Sequence, residues 1–351
     1  MRIDRLGMAM AMAALVLVSP VVAKSQEVHT ISPHFPDHFK LRTTSIGDQD
    51  QVSQGKHQTT HSEMETLADI QKLPVGYRAV YSLVNMKSVG LGPDGRPTAQ
   101  GQQMEKMVQM FRDIGTAQVT MDDNLDPVTV DNIEDIKAKL KLAMTSTPEM
   151  QKDNAGEKVY ALMFGSLTPQ SAGAFLKMAK RQGNVYNRPL PLGQAVALSS
   201  APMQFMGTSF NLNSTVELTR WEEGKTAHLM LVMAPTDADM QRFLGGLLKN
   251  MMASLMPPDD GKGTNAQMNQ VMDRMVANMK MAMKTTCDVD IDLNNDINTH
   301  VVCAGETDMS MDLRKILPDD VLKAHPEVGA KLPLITMVQT SHSTNDTSLV
   351  Q

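Results

Sequence analysis

The sequence predicts an α+β fold: a curved, half-barrel-like antiparallel sheet packed on helices, with a helical hairpin between two β blocks. Three observations predict it. Residues 288–293, Asp-Val-Asp-Ile-Asp-Leu, alternate acid and apolar with the period of two that gives a strand one wet face. Residues 237–256 and 265–284 each repeat apolar side chains at helical spacing. Strand-like segments lie on both sides of that helical pair.

Taken in chain order, Arg2 and Arg5 precede an unbroken Met, Ala, Leu and Val run from Met8 to Val18, which Ser19 and Pro20 end. With Val21-Val22-Ala23 following, residues 1–23 read as a secretory signal peptide. Residues 24–74 hold few large apolar side chains and many Ser, Thr, Gln and His, and are expected to be a flexible arm. Residues 75–351 are expected to form one domain, readable also as two β-rich halves, 75–185 and 186–351.

Within it, residues 77–89 read as a strand and 90–97 as a turn-rich loop. Residues 104–111 fit a strand or a short helix. Residues 115–121 and 128–130 read as paired short strands, and 132–144 as an amphipathic helix through Ile133, Ile136 and Leu140. Residues 159–167 are apolar and ambiguous. Thr168-Pro169 opens a helix running to about 181, with Pro at its first position. Strands are expected at 195–199, 208–221 and 226–234, the last two joined by a tight turn at Glu222–Lys225. After the two helices come a hairpin at 287–303 and strands at 307–313 and 334–344.

The cysteines follow from the hairpin. There are two, Cys287 and Cys303, and folding the chain about Asn295 sets Val289 opposite Val301, Ile291 opposite Thr299, and Cys287 opposite Cys303. An oxidising compartment favours their pairing, so a disulfide is expected.

Composition narrows the function. A net charge of −6 argues against nucleic acid as a partner, since that needs a basic footprint. After signal cleavage no apolar run is long enough to span a bilayer. There are 31 Met against 8 Phe, 4 Tyr and 1 Trp. In the second helical segment Met268, Met272, Met275, Met279 and Met283 form one stripe, and the first presents Met240, Phe243, Leu247 and Met251. Such faces are ordinarily core. Met also repacks around varied shapes, so Met240, Phe243, Leu247, Met251, Met268, Met272, Met275 and Met279 are candidates to line a lipid or other apolar ligand. Thioether also suits copper(I), which makes metal handling the competing reading.

Five of nine His lie in the arm, and His57 and His61 have the i, i+4 spacing that chelates on a helix. Gln58 follows His57, so the zinc-protease Glu is missing. Asp288, Asp290 and Asp292 fail the calcium-loop template, whose sixth and twelfth positions would fall on Asn295 and Val301. The sequence contains no nucleophile elbow, zinc-protease motif, C-x-x-C or phosphate loop. No cofactor is implied, and an enzyme with a dispersed site remains the third reading.

Four segments together resemble a family of exported bacterial β-rich proteins of unknown function: Tyr77 to Val89, Gly115 to Ile136, Pro189 to Met233, and Asp288 to Leu313. The family carries no established activity. A looser architectural similarity is to lipoprotein carriers of the cell envelope, whose curved sheet covers helices and holds acyl chains. The expectation is therefore a non-enzymatic, exported periplasmic or extracellular protein that holds a lipid or other apolar ligand or partner. Its oligomeric state is not encoded in any recognisable pattern.

Overall fold

The computed structural model describes residues 27–92, 94–98, 108–109, 112–146, 154–179, 185–198, 203–205, 208–211, 213–255, 264–317 and 332–350. The expected signal peptide lies outside them. The first strands are β1 (Val28–His29), β2 (His38–Ser53), β3 (Lys56–Lys72), β4 (Tyr77–Leu91), β5 (Thr116–Met121) and β6 (Pro127–Val130). Helices α1 (Ile133–Thr145), α2 (Ala155–Phe164) and α3 (Pro169–Ala179) follow. Then come β7 (Leu190–Pro191), β8 (Ala195–Leu198), β9 (Met203–Phe205), β10 (Thr208–Phe210), β11 (Ser214–Glu222) and β12 (Thr226–Met233). Helices α4 (Asp237–Leu255) and α5 (Thr264–Asn278) lead into β13 (Met279–Asp292), β14 (Ile297–Asp312) and β15 (Leu334–Val350).

The α+β expectation is overturned. One open, antiparallel sheet of 11 strands, ordered β6-β5-β4-β3-β2-β15-β14-β13-β12-β11-β8, dominates the molecule, and its helices are few. Two segments account for the difference. Residues 38–72, expected as part of a flexible arm, form the hairpin β2–β3 at the centre of the sheet. Its turn is Gln54-Gly55, both with positive φ (51° and 76°), the conformation whose twist matches a two-residue hairpin. The second helix stops at Asn278, and residues 279–284 begin β13 instead.

Period-two alternation sorts the strands into two faces. One face carries the core: Ile70, Ala79, Val119, Leu229, Val289 and Ile291 are all nearly or fully inaccessible to solvent. Helix α3 lies against β6. Its Gly173 allows the approach, because a Cβ there would run into the Val128 carbonyl. Lys177 of the same helix pairs with the buried Asp126 carboxylate at 2.7 Å. The opposite face is wet and carries His–Asp pairs across the ladder, among them His61–Asp48 (2.7 Å), His228–Asp290 (2.6 Å) and His300–Asp346 (2.6 Å). Asp290, one of the three acids of the rejected calcium pattern, is thus a ladder partner of histidine.

The disulfide is present: Cys287 and Cys303 are bonded, with Cα atoms 4.0 Å apart on paired positions of β13 and β14. The register expected around it needs one correction. Val289 faces Val301, but Ile291 faces Asn298, because Thr299 is an extra, unmatched residue on β14. This is a β-bulge, and it reverses which face the residues before it present.

Candidate ligand cavity

Where the core face of β2, β3 and β4 meets β14 and β15, the packing leaves a cavity of about 420 Å³. That size falls within the usual range for small-molecule sites. Its floor is the core-face row of the strands: Leu41, Thr43, Thr66, Ala68 and Tyr81 on one side, Val301 and Thr347 on the other. Across the floor the Thr43 and Thr347 hydroxyls are hydrogen-bonded at 3.0 Å. Leu125, Pro127, Leu176 of α3 and Tyr186 form the cover. The strand sequences supply this floor because every second residue points to it. Helix α3 supplies the cover because Gly173 and Lys177 hold it down on β6 and the loop before it.

At one end the wall becomes polar. Tyr186 Oη donates to the Asp296 carbonyl at 2.7 Å, and burial pushes the phenol far above its usual range. Asp296 sits in the β13–β14 turn with φ 54°, and its Oδ2 accepts the His34 N–H at 2.7 Å. Burial raises its carboxyl above the ordinary Asp range despite that bond. Asp292 opens the same turn. Against the burial that pushes it up, the Asn294 N–H and the Asn294 and Asn295 amides hold its carboxyl below the usual value. Beside Asp296 stands Asn298, also lining the cavity and only 6% exposed. Among the described residues neither its amide nitrogen nor its amide oxygen has a hydrogen-bond partner. Each such unsatisfied buried group costs about 1–3 kcal/mol. Asn298 lies on the cavity side because of the Thr299 bulge; unbroken alternation from Val301 would have put it on the wet face.

Two bulges flank the cavity. Besides Thr299, Val84 is unmatched where β4 passes Glu65 and Thr66 of β3. Bulges next to binding sites re-aim side chains and break pairing locally.

Of the eight residues proposed from the Met pattern, none of the six whose side chains are described lines this cavity. Met240 and Met272 are buried in α4 and α5, and Phe243, Leu247 and Met275 are half-buried there. Met251 and Met268 also lie in these helices, but their side chains fall outside the described residues. Met279 is buried in β13, and Met283 follows it there, so the expected continuous stripe is split between a helix and a strand.

His57 and His61 lie on a strand rather than a helix. On β3 their four-residue spacing spans about 13 Å rather than one helical turn, too far for one ion. His57 pairs with Asp50, and His61 with Asp48 and Glu63. Hydrogen bonds donated by the ring to Asp48 and then to Glu63 raise the His61 imidazole above its usual value. Among the described residues no group of three or more His, Cys, Asp or Glu could hold a metal ion.

Trp221 lies against the core, stacks on His29 at 4.3 Å and donates from Nε1 to Glu223. The cavity residues themselves were not foreseen. The aromatic and β-branched content of Tyr77–Leu83 was visible, but nothing local marks which strands enclose a void.

Comparison with known proteins adds little to this geometry. No protein family and no curated protein matches the chain, so the resemblance to an exported β-rich family stays at the level of its segments. Among solved structures the chain is similar to lipovitellin, in a structure concerned with lipid–protein interactions, at 8% identity and a TM-score of 0.39. That match covers 88% of this chain but only 25% of the lipovitellin chain, so this protein spans about a quarter of its length. It is also similar to DynF from the dynemicin biosynthesis pathway of Micromonospora chersina, with a TM-score of 0.17, 8% identity, and 91% and 85% of the two chains covered. For Pseudomonas aeruginosa OccK5 (OpdH) the TM-score is 0.19 at 6% identity, over 91% and 100% of the two chains. Among the described residues no helix is long and apolar enough to cross a membrane.

Proposed function

We propose that this is an exported, non-enzymatic protein of the cell envelope that holds a lipid or another apolar molecule between the β2–β4 face, β14–β15 and α3. The observation that supports the reading is the cavity: about 420 Å³, mostly apolar, with polar groups gathered at one end. A few polar groups in an otherwise apolar cleft are the usual composition of a small-molecule site, with the polar groups fixing orientation. The disulfide fits an oxidising compartment, and the N-terminal run fits export to one.

The direct test is uptake of N-phenyl-1-naphthylamine, whose fluorescence rises in apolar surroundings. Thr66 is half-buried on the cavity floor, and Thr66→Trp fills the space with a residue that strands tolerate well. Wild type should take up the probe and the variant should not, at unchanged melting temperature. Equal uptake by both folded proteins contradicts the assignment. Export is tested separately, by finding the mature chain outside the cytoplasm with its N-terminus near Lys24.

A further inference from the structure

The polar end of the cavity has a chemical character of its own. Asn298 presents an amide donor and an amide acceptor, and among the described residues neither has a partner. Buried polar groups are nearly always hydrogen-bonded, and a native exception calls for a physical explanation. Among the described residues lining the cavity, Asp296 is the one charged group, with no Lys or Arg. An anionic head would therefore meet a carboxylate and no countercharge. A neutral head with a donor and an acceptor side by side would complement the Asn298 amide with two hydrogen bonds. Both Asn298 atoms are shielded from solvent here, so pairing requires the amide to turn toward the cavity. The broad terminal torsion of Asn allows such a turn.

We infer that the cavity selects a long-chain acyl amide, its chain on the apolar floor and its carboxamide paired with the side chain of Asn298. This rests on the cavity reading given above. The Thr299 bulge is the structural device behind it, since it turns Asn298 away from the wet face.

The test uses the full-length mature protein loaded with N-phenyl-1-naphthylamine and displaced in turn by dodecanamide, N,N-dimethyldodecanamide and dodecanoate at pH 8. Dodecanamide should displace at about tenfold lower concentration than either analogue, because one net hydrogen bond is worth about that factor. In Asn298→Leu dodecanamide and N,N-dimethyldodecanamide should converge to within about twofold, for the same reason, while dodecanoate stays disfavoured by Asp296. Should Asn298→Leu fail to fold, the ligand series on wild type still decides. Displacement by all three without preference, or a preference for dodecanamide over N,N-dimethyldodecanamide that survives Asn298→Leu, overturns the inference and leaves the cavity reading standing. Failure of the probe and of all three ligands to bind overturns both.

Discussion

The long strands at the centre of the sheet run through two different environments. At one end Phe39 and Ile70 of β2 and β3 are buried beside Ala79 of β4. Across the sheet Val289 and Ile291 are buried in the same layer. At the other end, from Thr43 to Ser53, no residue of β2 is buried, and its residues alternate only between exposed and half-exposed. The ladder does not change: Gln49 still pairs with Ser341 on one side and Thr60 on the other, and Gly305 continues the row to Thr285. Main-chain pairing thus continues well beyond the hydrophobic core, carried by Ser, Thr and Gln. The cavity lies at the passage between the two, where Leu41 and Ala68 give way to Thr43 and Thr66.

The largest expected effect separates the two ends. Ile291→Ala, in the buried layer, should cost about 2–5 kcal/mol in urea unfolding. Val52→Ala, on the open end, should stay within about 0.5 kcal/mol. Comparable losses at both positions would mean that the open end is covered in solution. Replacing Cys287 and Cys303 together by Ala should cost about 3 kcal/mol, as expected for a closed loop of this length. A negligible change would mean that the β13–β14 ladder sets the register without the bridge.

Asp296→Asn tests the polar end of the cavity. Burial raises the Asp296 carboxyl above its unfolded value. Between the two values the folded protein binds more protons, so stability falls as pH rises through that window, and the loss is complete above the folded value. Asparagine removes the titration, keeps an oxygen for the His34 N–H, and tolerates the positive φ. The variant should therefore gain melting temperature relative to wild type at pH 7, and less at pH 4. A gap that is flat or widens toward acid contradicts the burial argument. The smallest effect is expected at His61→Gln, an exposed position on the wet face, which should move stability by less than about 0.5 kcal/mol at pH 7.

How far the sequence could be read follows the same division. The α4 pattern, the β11–β12 hairpin and the cysteine register were legible because each has one buried face, and burial writes a period into the residues. β2 and β3 were read as an arm because their open ends bury nothing, so apolar alternation is absent there. A signal did exist in the β-branched runs Thr43-Thr44 and Thr59-Thr60 around Gln54-Gly55. The Met stripe misled because spacings of three and four suit a helix, whereas Met279, Met281 and Met283 also alternate with Lys280, Ala282 and Lys284. The strand took the second pattern. The Thr299 bulge left no mark in the sequence, and with it went any foresight of Asn298.

Hydrogen exchange on residues 43–53 and 336–348 bears on the open end of the ladder. Protected amides there are expected from strands paired on both sides, and free exchange would restore the flexible arm.

The claim that a ligand fills the cavity is tested most directly by native mass spectrometry of the mature protein purified from its own cell envelope. Wild type should carry a discrete, non-covalent added mass that is released on collisional activation. Thr66→Trp, prepared in parallel, should fly at its bare mass. A bare wild-type protein, or an added mass that Thr66→Trp retains in full, would contradict the account.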